Sequence, residues 1–129
     1  MVVRKFHQIW STGQIAQLDS VMTPDFVFHY TNGNESKGID STKLVVAQVR
    51  TLFPDTKHEI LDLIAEGDRV VARYKVTATH QNKFDGYSPT GKKLVMSVAD
   101  IYRIDNGKIA EEWQFANQSD LDNQLKAKN

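Results

Sequence analysis

The chain contains no cysteine. That excludes disulfides, zinc–thiolate sites and a thiol nucleophile, and it fits a reducing compartment, so the expected location is cytoplasmic. An excess of one charge is missing too: 16 Lys and Arg stand against 16 Asp and Glu. With no block of like charge there is no electrostatic footprint for nucleic acid, and none is expected as a partner. No apolar run approaches the ~20 residues of a membrane-spanning helix. The N-terminus lacks the apolar core of a secretion signal, so a membrane partner is not expected either. Histidines number four, and no two have the spacing of a helical metal site. With no thiolate beside them, no metal is expected.

The 129 residues suit a single domain, 1–129. The first quarter has helical periodicity. Val3, Phe6 and Trp10 share one face; after Gly13, Ile15, Leu18 and Met22 repeat the pattern, and Pro24 ends it. Phe26 to Tyr30 is expected to be a short strand, with Asn32-Gly33-Asn34 as turn or loop. A third helix is expected after Gly38, with Asp40 or Ser41 as N-cap, the stripe Val45, Val49, Leu52, and Pro54 as its stop.

Beyond Pro54 the period changes from helical to alternating. Four strands are expected: Lys57 to Glu66, Arg69 to His80, Lys93 to Ile104 and Lys108 to Asn117. Gly67-Asp68 and Asn106-Gly107 are hairpin turns, so neighbouring strands pair antiparallel. The loop with Gly86 and Pro89-Thr90-Gly91 is a turn and a candidate lid. Ser119 to Ala127 is expected to add one or two helical turns. Helices followed by an antiparallel meander give an α+β fold: a curved sheet packed on about three N-terminal helices and enclosing a cavity.

Alternation assigns faces. Val70, Ala72, Tyr74, Val76, Ala78 and His80 should face the cavity; Val71, Arg73, Lys75, Thr77 and Thr79 should face solvent or a partner. Leu94, Met96, Val98, Asp100 and Tyr102 form a second such row, with an acid inside it. A carboxylate among apolar neighbours is costly unless paired, hydrogen-bonded or protonated. Asp100 is therefore either a proton donor of raised pKa or a structural partner of Arg103 or another basic group. His29, on a strand rim, is a candidate base whose ordinary pKa lies near neutrality. His7 and His58 are expected at the surface. Trp10 and Tyr30 are expected at the cavity mouth, while Tyr74, Met96, Tyr102, Trp113 and Phe115 supply core or cavity wall.

Phe53-Pro-Asp, Leu63-Ile-Ala-Glu-Gly-Asp-Arg-Val-Val-Ala-Arg, Thr79-His80, Pro89-Thr-Gly-Lys, Asp100-Ile-Tyr-Arg and Gly107-Lys-Ile-Ala-Glu-Glu-Trp resemble the SnoaL-like family. That family includes polyketide cyclases and belongs to the nuclear-transport-factor-2-like superfamily, whose fold ketosteroid isomerases share. The resemblance implies a cone of mainly antiparallel sheet, a homodimer through that sheet, a small apolar ligand and no cofactor. It implies acid–base chemistry, as a ring-closing aldol step or a proton shift. Asp100 falls where the isomerases keep a protonated acid. Their general base falls near Tyr30, beside His29, and their tyrosine near Phe6. Where the cyclases carry an acid after the tryptophan, this chain reads Glu111-Glu-Trp-Gln114.

The candidate site is thus Asp100 and His29 for catalysis, with Trp10, Tyr30, Tyr74, His80, Met96 and Gln114 as substrate-binding residues. Gln114 either orients a ligand carbonyl or meets a dimer partner; Glu112, on the same face, is placed to substitute for the missing acid. Three readings follow: a cofactor-free acid–base enzyme on a small apolar carbonyl compound, a non-catalytic binder, and an interaction subunit that dimerises through its sheet.

Overall fold

The computed structural model describes residues 1–126. Val3, Phe6 and Ile9 make one side of the first helix apolar, and helix α1 (Val2–Thr12) buries them. Gly13 ends it in the left-handed region, at φ 78°, with its N–H on the Ile9 carbonyl. The expected second helix is only a short 3-10 segment, Ile15–Ser20. Met22 already belongs to strand β1 (Met22–His29), so Pro24 lies inside a strand and terminates no helix. The physical reason is the pairing: the β1 register shifts between Met22 and Val27, where the missing proline N–H interrupts no ladder bond.

Strand β2 (Glu35–Lys37) folds back on β1, and helix α2 (Ile39–Leu52) follows directly. Its N-cap is Gly38, at φ 89°, and no side chain caps it. Asp40 and Ser41 lie within the first turn and are not the cap, because the chain leaves β2 through a left-handed corner that glycine adopts without strain. Strands β3 (Lys57–Glu66), β4 (Arg69–Thr79), β5 (Lys93–Asp105) and β6 (Lys108–Ala116) form the meander. Helix α3 (Gln118–Lys126) ends the described chain, and Ala127 lies outside it.

The sheet order is β2-β1-β6-β5-β4-β3. Every pairing is antiparallel except β1 with β6, which is parallel. Register shifts between Ile60 and Asp62, and between Arg103 and Ile104, bend the strands toward the helices. On the concave face Phe6, Ile9, Phe26, Val46, Ala72 and Tyr102 are buried as the main core. A second cluster of Phe53, Ala78, Leu94, Leu121 and Leu125 closes the far end under α3. Each such buried aliphatic or Phe side chain contributes about 1.5–3 kcal/mol relative to exposure. The convex face is more apolar than its Arg73, Lys75, Thr77 and Thr79 suggested: Ile64 and Phe115 are more than half exposed there. Among the described residues no helix is long and apolar enough to cross a membrane.

Candidate active site

A cavity of about 290 Å³ lies between the concave sheet face and helices α1 and α2. That is close to the lower end of the range for small-molecule pockets. Its wall is largely apolar, with Phe6, Trp10, Phe28, Val49, Phe53, Val76, Met96 and Val98 among the lining residues. Glu112, Gln114, Tyr74, His7 and His58 are among its polar lining groups, and Ser36, Ser41, Thr42 and Thr56 add hydroxyls to the wall.

Strand register brings the acids together. Asp100 on β5 stands opposite Gln114 on β6, and Tyr102 stands opposite Glu112. On the other side Asp100 pairs with Ala72 of β4, one step diagonal to Tyr74. All of these side chains point to the concave face, and Asp100, Tyr74, Tyr102 and Glu112 are buried. The Tyr74 hydroxyl donates to Asp100 Oδ2 at 2.9 Å, and the Tyr102 hydroxyl lies 3.2 Å from the same oxygen. Among the described residues Asp100 Oδ1 has no well-formed hydrogen-bond donor. The Glu112 carboxyl is in hydrogen-bonding contact with both Asp100 and Tyr102, and a hydrogen bond between two carboxyls requires a proton on one of them.

The electrostatics agree with a proton held by the pair. Burial pushes Asp100 up from the ordinary range, while its contacts with Glu112, Tyr74 and Tyr102 oppose the shift. Burial and the Asp100 charge push Glu112 well up, since two adjacent carboxylates cannot both ionise in a dry site. Burial and the two acids likewise hold Tyr74 and Tyr102 protonated, well above the usual phenol range. Both acids are therefore shifted toward the neutral form, Glu112 the more strongly, and the pair holds a proton between them.

Helix α1 supplies the remaining polar groups. His7 is buried; its Nε2 lies 2.6 Å from the Tyr102 hydroxyl and its Nδ1 lies 2.9 Å from His58 Nδ1. His58, on β3, is stacked between Trp10 and Tyr74, with ring centroids 5.4 and 5.2 Å away. Burial drives the His7 pKa down to about 3, and burial with the His7 neighbour lowers His58 well below the usual value. Both rings are neutral near pH 7.

The structure thus redistributes the expected site. Trp10, Tyr30, Tyr74, Met96 and Gln114 do line the cavity. Asp100 is not on its surface; Glu112 presents the acid there, with Asp100 bonded to it. His29 is not on the cavity wall. Phe28 takes the concave position, so the next residue turns to the convex side. There His29 stacks on Trp113 and bridges Glu35 and Glu111, at 3.2 and 2.6 Å. Trp113 also carries the Arg69 guanidinium over its ring, so it is a convex-face residue and not core. The expected Asp100–Arg103 pair does not form, because Arg103 projects to that same convex side and bonds Glu111 at 3.0 Å.

His80 is fully buried, just past the end of β4, and does not line the cavity. Its Nδ1 bonds the Thr90 hydroxyl at 3.0 Å and its carbonyl accepts from Gly91, so it fastens the loop before β5. That loop reaches the cavity through Phe84, which packs edge-on against Phe53.

His7 and His58, expected at the surface, are part of the site. The signal for them is in the sequence. His7 is four residues after Val3 and three before Trp10, so it belongs to the same helical stripe. His58 alternates with Ile60 ahead of the β3 bulge, which puts it on the concave face.

A family model described as SnoaL-like polyketide cyclase matches residues 1–125. No curated protein sequence matches the chain. Among solved structures, a provisionally designated polyketide cyclase from Acidithiobacillus ferrooxidans is 31% identical, with a TM-score of 0.86 over 97% of this chain and 92% of its own. AclR from Streptomyces galilaeus, provisionally a hydroxylase, is also 31% identical, with a TM-score of 0.84 over 96% of this chain and 78% of its own. IdmH from Streptomyces antibioticus, again provisionally a polyketide cyclase, has a TM-score of 0.89 at 23% identity, over 98% of this chain and 96% of its own. At that identity the likeness speaks to the fold alone.

Proposed function

The chain belongs to the SnoaL-like polyketide cyclase family, and from that membership we propose a cofactor-independent acid–base enzyme that closes or isomerises a small apolar carbonyl compound. The observation that carries this reading is the acid pair: a buried Glu112, its pKa pushed well up beside Asp100, on the wall of a largely apolar cavity. A carboxylic acid that stays neutral at pH 7 donates a proton to an oxygen that water would not protonate.

A ring closure illustrates the chemistry. The substrate is a polycarbonyl compound with one unit enolised. Its enol carbon attacks a carbonyl carbon and the new carbon–carbon bond forms. The carbonyl π pair moves to oxygen, which takes the Glu112 proton, and the enol hydroxyl returns its own proton to the Glu112 carboxylate so formed. Glu112 gives one proton and takes one back. Gln114, beside Glu112, orients the accepting carbonyl through its amide. Trp10 and Tyr30 stack on the flat body of the ligand. Asp100 acts through Glu112 as a positioning group: its negative charge keeps the proton on Glu112 until the substrate oxygen becomes the better base.

The test is Glu112→Gln against a panel of polycyclic β-polycarbonyl compounds. Turnover should fall ~10²–10³-fold, the typical effect of removing one such donor, while binding, followed by Trp10 fluorescence, stays. Full activity in this variant would remove Glu112 from the chemistry.

A second reading has its own support. Gln114 occupies the position at which the resembling cyclases carry an acid, so a protein that binds and presents an apolar ligand without converting it also fits. Tight binding of a panel member, recovered unchanged after long incubation, would establish that reading in place of the first.

A further inference from the structure

The chemistry above leaves the hydroxyls of the cavity wall unused. Those of Ser41 and Thr56 are already engaged. Ser41 Oγ donates to the Lys37 carbonyl at 3.2 Å, and Thr56 Oγ1 donates to the Phe53 carbonyl at 2.6 Å. Ser36 Oγ and Thr42 Oγ1 also border the cavity, and neither has a hydrogen-bond partner among the described residues. Thr42 is only 9% exposed, on a wall that is largely apolar.

Strand register locates this pair relative to the acid. Ser36 on β2 stands opposite Phe28 on β1, and Phe28 stands opposite Glu112 on β6. All three side chains line the cavity, so they form one row across neighbouring strands. With strands spaced about 4.8 Å apart, Ser36 and Glu112 are separated by about 10 Å along the row, with Phe28 between them. Thr42 lies in the start of α2, just past the corner that joins it to β2. That corner is fastened to β1 by the Gly38 N–H, which donates to the Phe26 carbonyl at 2.6 Å.

A ligand that fills the cavity expels water from these hydroxyls. A buried hydroxyl left without a partner costs free energy, so a ligand that brings its own oxygen to this point is favoured over one that does not. Charge narrows the choice. No Lys or Arg lines the cavity among the described residues, so a carboxylate or phosphate would be buried there without a counter-ion. A hydroxyl both donates and accepts, which suits a carbonyl or a hydroxyl on the ligand.

We propose that Ser36 and Thr42 form a second, oxygen-binding subsite, and that the substrate is an uncharged compound with an oxygen at each end of an apolar body. One oxygen meets Glu112 and Gln114, the other meets these two hydroxyls, and the body lies along Phe28. The proposal rests on the acid–base reading above, which makes Glu112 the reacting end. It adds a length and a polarity to that reading: holding the remote oxygen places the reacting carbonyl at Glu112 rather than elsewhere on the apolar wall.

The test is calorimetric binding of three para-substituted biphenyls to the full chain at neutral pH. One carries a hydroxyl on a single ring, one a hydroxyl on both rings, and one a hydroxyl on one ring and a carboxylate on the other. The bis-phenol should bind about tenfold more tightly than the mono-phenol, as one or two added hydrogen bonds imply. The carboxylate should bind more weakly than either. Combining Ser36→Ala with Thr42→Val should erase the preference for the bis-phenol and leave the mono-phenol affinity unchanged, which also shows that the cavity is intact. Thr42→Ser keeps the hydroxyl and should keep the preference. If the double variant binds neither phenol, Ser36→Ala alone decides, through a preference that is reduced or is not. Equal binding of the two phenols by the unaltered protein, binding of neither, or a preference that survives removal of the hydroxyls would overturn the subsite. Tighter binding of the carboxylate than of the bis-phenol would overturn the uncharged class. These readouts are affinities and not rates, so the subsite can fail while the Glu112→Gln turnover test succeeds, and the reverse.

Discussion

At the scale of single residues, the site works by keeping charges out of a dry place. His7 and Glu112 are both held neutral, but they respond oppositely to pH. The unfolded chain protonates His7 below about 6.5, while the folded one keeps it neutral down to about 3. The unfolded state therefore binds more protons in that window, and His7 subtracts stability as pH falls from 6.5 toward 3. Glu112 is raised from 4.5, so the folded chain holds a proton that the unfolded chain releases. It subtracts stability as pH rises above about 4.5 through its folded value. Urea unfolding across this range should show both limbs: His7→Gln should flatten the acid side, and Glu112→Gln the side that develops as pH rises.

At the scale of elements, the meander was legible because its turns and alternation are local. Asn106 and Gly107 both have positive φ, 50° and 76°, the signature of the two-residue hairpin turn that Asn-Gly favours. Gly107→Ala places a Cβ in that region and should destabilise by about 1–2 kcal/mol, read as a lower denaturant midpoint with the slope unchanged. The first quarter was less legible. Ile15, Leu18 and Met22 keep helical spacing, yet Met22 pairs with Ile109, a partner far along the chain that no local pattern reveals. Asp100 was visible as an acid in an apolar row. Glu112 was legible as an acid on the same face, but its pairing with Asp100 was not, because that partner is set by cross-strand register. His29 and Phe28 are adjacent, so one step of strand alternation separates a cavity residue from a convex-face ion pair.

At the scale of the whole molecule, the convex face presents Ile64, Val95 and Phe115 around the Arg69–Trp113–His29 stack. A homodimer through this face predicts sedimentation at twice the chain mass of 14.6 kDa, and Phe115→Glu should return it to the single mass. The parallel pairing of β1 with β6 has a consequence of another kind. His29 and Glu111 are 82 residues apart, whereas β3 to β6 join through neighbours in sequence. Closing so long a segment is entropically expensive, so it comes late. Pulsed hydrogen exchange during refolding should find the β4 and β5 amides protected before those of β1. Phe28, Tyr30 and Ser36 sit on or beside the β1–β2 flap and line the cavity. A refolding chain would then hold its buried acids in register while still lacking one wall of the chamber around them. Binding competence would be the last property the chain acquires as it folds and the first it loses when that flap frays.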